Sequence, residues 1–158
     1  MTDEKTSEAL PLLRYRIAEF SVSSYHSEDI AWDGISPDKV NFNTKPTVTF
    51  DELKGLVIID IAIAGQHLDD NDIKQQLFTF TTKTKFHVIG MTLQKIGDQV
   101  GSNLTTELLQ AFVSIAVSST RGALSIISGG RWLLPAIDVT KMVNVEPLKI
   151  EGAEANSL

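Results

Sequence analysis

The chain has no cysteine, which excludes disulfides, thiolate metal sites and cysteine nucleophiles together and leaves the redox compartment undetermined. It has no basic cluster: 14 Lys and Arg stand against 20 Asp and Glu in 158 residues, a net charge of −6. A phosphate backbone or an anionic membrane surface needs concentrated cations, so neither nucleic acid nor membrane is an expected partner. Long apolar runs are also missing. The best candidate, Ala111 to Val117, contains Ser114 and is followed by Ser118, Ser119 and Arg121, short of the ~20 apolar residues that cross a bilayer. Histidine is scarce, and His26, His67 and His87 have neither helical ligand spacing nor a cysteine partner; a zinc hydrolase has no ligand set here.

Two short motifs dissolve on inspection. Asp69-Asp70-Asn71-Asp72 suggests a calcium loop, yet a loop starting at Asp69 puts Ile73 at the fifth position and one starting at Asp70 puts Lys74 there, with no central Gly or closing Glu in either frame. A solvated hairpin turn explains it better. Gly97 and Gly101 lack the further glycines and the Lys-Ser or Lys-Thr of a phosphate loop, and are read as part of a connection. No cofactor is implied.

What is present is the composition of a globular protein, 42% hydrophobic and 22% charged, in a length that suits one domain. That domain is expected over 14–144, with polar tails at 1–13 and 145–158. Met1 to Leu10 is acidic and without an apolar core; it matches neither a secretory signal nor a transit peptide, and the expected location is the cytoplasm.

Strand patterns fill the first half. Tyr15, Ile17, Phe20 and Val22 alternate with polar residues over Arg14 to Ser23, with a phase shift near Ala18 and Glu19 that suggests a bulge or bend. Tyr25 to Pro37 carries turn chemistry and reads as a loop. Lys39 to Leu53 alternates through Val40, Phe42, Val48 and Phe50, and its Pro46 implies an edge position or a break. Gly55 to Gly65 is β-branched and reads as the central strand. Gln66 to Asp72 connects it to Gln75–Ile89, where Phe78, Phe80, Phe86 and Val88 share one face and Thr79, Thr81, Lys83, Lys85 and His87 the other. One covered face and one wet face predict an antiparallel sheet.

From Leu104 the period becomes helical: Leu104, Leu108, Phe112 and Ile115 form one row and Leu109, Val113 and Ala116 another. Asn103 is the expected N-cap, Gly129-Gly130 the stop, and Asp138 the cap of a final short helix beyond Pro135. The predicted fold is α+β, a four-stranded antiparallel sheet with a long and a short C-terminal helix on one face.

That order resembles the SecB family of export chaperones, in which four strands precede a long helix ending in Ser-Arg-Gly and a loop ending in Leu-Ala-Pro-Val and an Asx residue. The equivalents are Thr120-Arg121-Gly122 and Leu134-Pro135-Ala136-Ile137-Asp138, followed by Val139 to Val143. The resemblance implies a homo-oligomer, a dimer or a dimer of dimers, that holds unfolded or precursor polypeptides in apolar grooves between sheet and helices. Trp32, Phe42, Phe50 and Trp132 are the candidate groove residues. Ala111, Ser114 and Ser118 would let another helix approach closely, or simply face water. In the family, docking on the motor SecA uses acidic residues of the outer sheet face and a zinc tail. Glu19 matches the first acidic position; Ser23 and Thr79 occupy two others, and Glu146 to Leu158 has no Cys or His.

Two readings stay open: a holdase for non-native chains, or an adaptor of the same fold with one dedicated partner such as an antitoxin. An enzyme is not expected, since it would need a cleft of converging titratable groups and the only candidates on the expected strands are Glu19, Asp60 and Lys83.

Overall fold

The computed structural model describes residues 13–96 and 99–142. The expected tails fall outside these ranges except for Leu13, which packs against the core. Four long strands, β1 (Arg14–Ser27), β2 (Val40–Asp51), β3 (Leu56–Leu68) and β4 (Lys74–Ile89), pair antiparallel in the order β1-β4-β3-β2. Consecutive hairpins join β2, β3 and β4, while the 28–39 connection carries the chain from one edge of the sheet to the other, a Greek-key order. As the β-branched run implied, β3 is interior; as Pro46 implied, β2 is an edge, and its pairing passes through Pro46 opposite Ile61 without a break.

Register explains the burial pattern. On β4, Phe78, Phe80, Thr82, Thr84, Phe86 and Val88 are all buried on one face, as are Val57, Ile59, Ile61 and Ile63 of β3. The phase shift near Ala18 is a bulge: Ile17 pairs with Phe86 and Glu19 with Lys85, and a second shift lies between Val22 and Ser24. Each extra residue returns the next apolar side chain to the inner face. The strand runs on through Tyr25 and His26, which sequence patterning placed in a loop. At the turn after β3, Asp69 accepts backbone N–H bonds from Asn71 and Ile73, the solvated hairpin expected of that acidic run.

Helix α1 (Thr106–Ile127) lies on β3 and β4. Its buried stripe is Phe112, Val113, Ala116, Val117, Thr120 and Leu124, and Phe112 stacks on Phe86 with centroids 4.4 Å apart. By length and mean hydropathy α1 could cross a bilayer, although no unbroken apolar run spans it; in this fold its apolar stripe is core. The N-cap is Thr105, whose hydroxyl accepts from Leu108 N–H. Asn103 instead receives Thr92 N–H and donates to Gly90 O, tying the end of β4 to the helix start. The stop falls where expected: Gly129 and Gly130 have φ of 63° and 80°, and their N–H groups return to Ile126 O and Ser125 O, a Schellman closure.

Two expectations need correction. The β4–α1 connection contains a small hairpin, β5 (Leu93–Ile96) with β6 (Gln99–Ser102), too short for alternation to reveal. The second helix is only a 3-10 turn, Val139–Lys141, among the described residues.

Two polar groups interrupt the apolar face of β4. Thr120 donates its one hydroxyl proton to Ala116 O at 2.6 Å, so it accepts from Thr82, also at 2.6 Å. Thr120→Val should therefore destabilise the fold by about 1–3 kcal/mol, because Thr82 loses its acceptor, whereas Thr82→Val with Thr120→Val should recover most of that loss. Urea unfolding of the three proteins reads the difference; equal losses in the single and the double variant would refute the pairing.

Candidate functional site

The helix leaves both edges of the sheet to other cover. Over β2 that cover is the segment after α1. Released by the Schellman turn, the chain enters with Trp132, whose backbone N–H donates to Ser128 Oγ. The Trp132 ring stacks on Phe78 at 4.8 Å and meets Phe42 edge-on at 6.5 Å. Leu134 is buried beside it, and its carbonyl accepts from Arg121 Nε at 3.0 Å. Proline then holds the backbone extended, so Pro135 and Ala136 stand exposed and Ile137 half-buried. Asp138 caps the 3-10 turn by accepting from Thr140 N–H at 3.1 Å.

Between this segment and the outer end of β2 lies an open cleft of about 460 Å³. Phe42, Leu134, Pro135, Ile137 and Met142 make its apolar surface, and Asn43, Thr44, Asp138 and Lys141 its rim. Asp138 and Lys141 are the only ionisable residues lining it and lie 3.6 Å from each other. The hydrogen bonds from Thr140, and to a smaller extent the Lys141 charge, hold the Asp138 carboxyl below its ordinary value. Among the described residues no group of His, Asp and Glu could hold a metal ion. An apolar floor with a self-neutralised rim can desolvate aliphatic or aromatic groups.

Of the groove residues expected from sequence, Phe42 lines the cleft. Trp132 lies beneath it, 6% exposed, and Phe50 belongs to the core at 2% exposed. Trp32 opens the turn Trp32–Gly34; its side chain lies outside the described residues. Leu134, Ile137 and Met142 were not anticipated as lining. Their one sequence signal was Pro135, which required an extended segment between two helical patterns.

Sequence comparison names no relative: no family model matches the chain, and no curated protein matches it. Among solved structures it is similar to a SecB-like chaperone of Mycobacterium tuberculosis in complex with a ChAD peptide from an antitoxin. The identity is 14% and the TM-score 0.49, over 78% of this chain and 87% of that one. It is also similar to a protein of unknown function from Streptococcus agalactiae, at 12% identity and TM-score 0.40, over 80% of this chain and 99% of that one. Likenesses this distant assign no family.

A second apolar surface lies at the opposite edge. Tyr15, Ile17, Phe20 and Val22 of β1 sit on the inner face opposite buried residues of β4, yet are 48%, 52%, 38% and 41% exposed. Tyr15 touches α1 through Phe112 at 4.9 Å. On α1, Ala111, Ser114 and Ser118 are exposed. Glu19 is on the outer face of the sheet, ion-paired with Lys85 at 2.7 Å.

The cleft wall has a pH signature. Because the carboxyl of Asp138 is held low in the folded chain, its cap is complete above the ordinary aspartate value of 3.8 and is lost only as pH falls through the lowered one. The Thr140 amide resonance should stay constant from neutral pH to below 3.8 and shift only in stronger acid. In Asp138→Ala it should occupy the uncapped position at every pH.

Proposed function

We propose that this protein binds polypeptide segments through apolar side chains and acts as a holdase for non-native chains in the cytoplasm, not as an enzyme. The observation that carries the reading is the cleft between β2 and the segment 134–142. Its floor is apolar and open, and β2 beside it is a sheet edge whose outward backbone groups have no strand partner among the described residues, which suits an extended chain. The resemblance read from the sequence points the same way.

A cleft of this size seats only a few side chains. Retaining a long non-native chain then requires several clefts acting together, since linked weak contacts raise affinity through effective concentration. An oligomer meets that need. The exposed β1 row is contiguous apolar surface on an edge with no strand partner among the described residues, which soluble proteins generally cover, and the small exposed residues Ala111, Ser114 and Ser118 give α1 a face that tolerates close approach. Engagement of SecA forms no part of this reading, because Glu19 is neutralised by Lys85 and lies among cations.

A second reading keeps the cleft and drops the multivalency: an adaptor that seats one short motif of one dedicated partner. The small volume of the cleft favours it. Breadth and stoichiometry separate the two.

Dilution of a chemically unfolded, unrelated protein into this chain without nucleotide should suppress light scattering at near-equimolar ratios. Ile137→Ser with Met142→Ser should weaken suppression about tenfold in protein whose circular dichroism shows it folded, as the loss of about 1.4 kcal/mol of client contact implies. No suppression by the folded wild type would sink the holdase reading and leave the adaptor. Separately, Phe20→Lys with Val22→Lys should shift the oligomer to a smaller species in light scattering coupled to size exclusion; an unchanged mass would remove β1 from the assembly.

A further inference from the structure

The outer face of the sheet has a charge opposite to that of the whole chain. Residues that alternate away from the core place Arg14 and Arg16 of β1, Lys83 and Lys85 of β4 and Lys45 of β2 on one surface. Among the described residues three carboxylates share it, and each is already engaged: Glu19 with Lys85 at 2.7 Å, Asp60 with Lys83 at 3.8 Å and Asp51 with Lys54 at 3.5 Å. Arg14, Arg16 and Lys45 are exposed and have no ion-pair partner among the described residues. A cation excess on one face of a chain with net charge −6 means that the anions are concentrated elsewhere.

The same face also carries aliphatic groups that no other described residue covers. Leu56, Ile58 and Ala62 of β3 are half-buried or exposed there. Register sets Leu56 opposite His87 and Ile58 opposite Lys85, and β1 adds Arg16 opposite His87. Neighbouring strands are ~4.8 Å apart, so an aliphatic row and a cationic row run side by side.

We propose that this face is a docking surface for an acidic polypeptide segment bearing aliphatic residues, its apolar groups over Leu56 and Ile58 and its carboxylates over Arg16 and Arg14. Complementary charge would steer the encounter and the aliphatic row would retain it. A nucleic acid fits less well, because Glu19, Asp60 and Asp51 interrupt the cations and a continuous phosphate backbone would meet each of them. The site is separate from the cleft, which opens on the other side of β2.

Fluorescence anisotropy of a labelled peptide of Glu, Leu and Ala tests it against the full chain, with a Lys-for-Glu version and a single-stranded oligonucleotide as competitors. The expected result is saturable binding of the Glu peptide that weakens with added salt and falls about tenfold or more in Arg14→Glu with Arg16→Glu. The milder pair Arg14→Gln with Arg16→Gln should weaken it several-fold, with an unchanged circular dichroism melt certifying the fold. The cleft variant Ile137→Ser with Met142→Ser should bind the peptide as the wild type does, so failure here and failure of the cleft reading are distinguishable. Absence of binding, equal binding of the Lys peptide, preference for the oligonucleotide, or indifference to both arginine pairs would each overturn the proposal.

Discussion

One geometric constraint underlies the rest of the molecule: a single helix about 10 Å across cannot cover four strands spaced ~4.8 Å apart. Placed on β3 and β4, where Phe112 meets Phe86 and Thr120 meets Thr82, α1 covers the inner face of the two central strands. Each fully buried aliphatic or aromatic side chain there contributes about 1.5–3 kcal/mol, and this layer defines the stable core. Both edges must then find cover of another kind. Over β2 the chain supplies it through Trp132 and Leu134; over β1 the described residues supply almost none.

The two solutions differ in strength. The segment over β2 is anchored by a stacked Trp132, the Arg121 bond to Leu134 O and the Schellman closure, each local and each modest, with a hydrogen bond worth about 0.5–1.5 kcal/mol. Beyond Leu134 the wall is held by the Asp138 cap and by half-buried Ile137 and Val139. Few buried contacts and exposed hydrogen bonds place such a segment at the low-stability end of a fold. The floor, by contrast, is an aromatic layer of Phe42 over Phe78 and Trp132. Tight packing of the floor has its own marker: a Cβ on Gly65 would lie 2.1 Å from the Phe78 ring, so that ring occupies the space of the missing side chain.

Much of the architecture was legible in the residues. The period of two in Phe78 to Val88, the β-branched run in β3, Pro46 at an edge, the bulge at Ala18 and the glycine stop of α1 all depend on local stereochemistry or on which face of one element is apolar. The misreadings have local causes as well. Asn103 and Thr105 are both good caps, and the choice fell to Thr105 because Asn103 is committed to the strand end at Thr92 and Gly90. The hairpin β5/β6 is too short to show alternation. Among the described residues the second helix is a single 3-10 turn, a difference the sequence did not show because Asp138 caps equally well a 3-10 turn or a helix. For the site, Phe42 was recognisable as an aromatic near the end of an edge strand, but Phe50, on the same face of the same strand, could not be told from it without knowing where α1 and Trp132 lie.

The sequence by itself determined the class of fold, the strand and helix order and the two-faced character of the sheet, because periodicity and backbone preferences act over a few residues. Only the tertiary structure decided which apolar residues are surface. Tyr15 and Ile17 have the same pattern as Val57 and Ile59, yet the first pair is half exposed and the second fully buried. Exposure depends on how far the helix reaches across the sheet, and the charge of the outer face depends on which strands lie side by side; both are set by contacts between segments far apart in the chain.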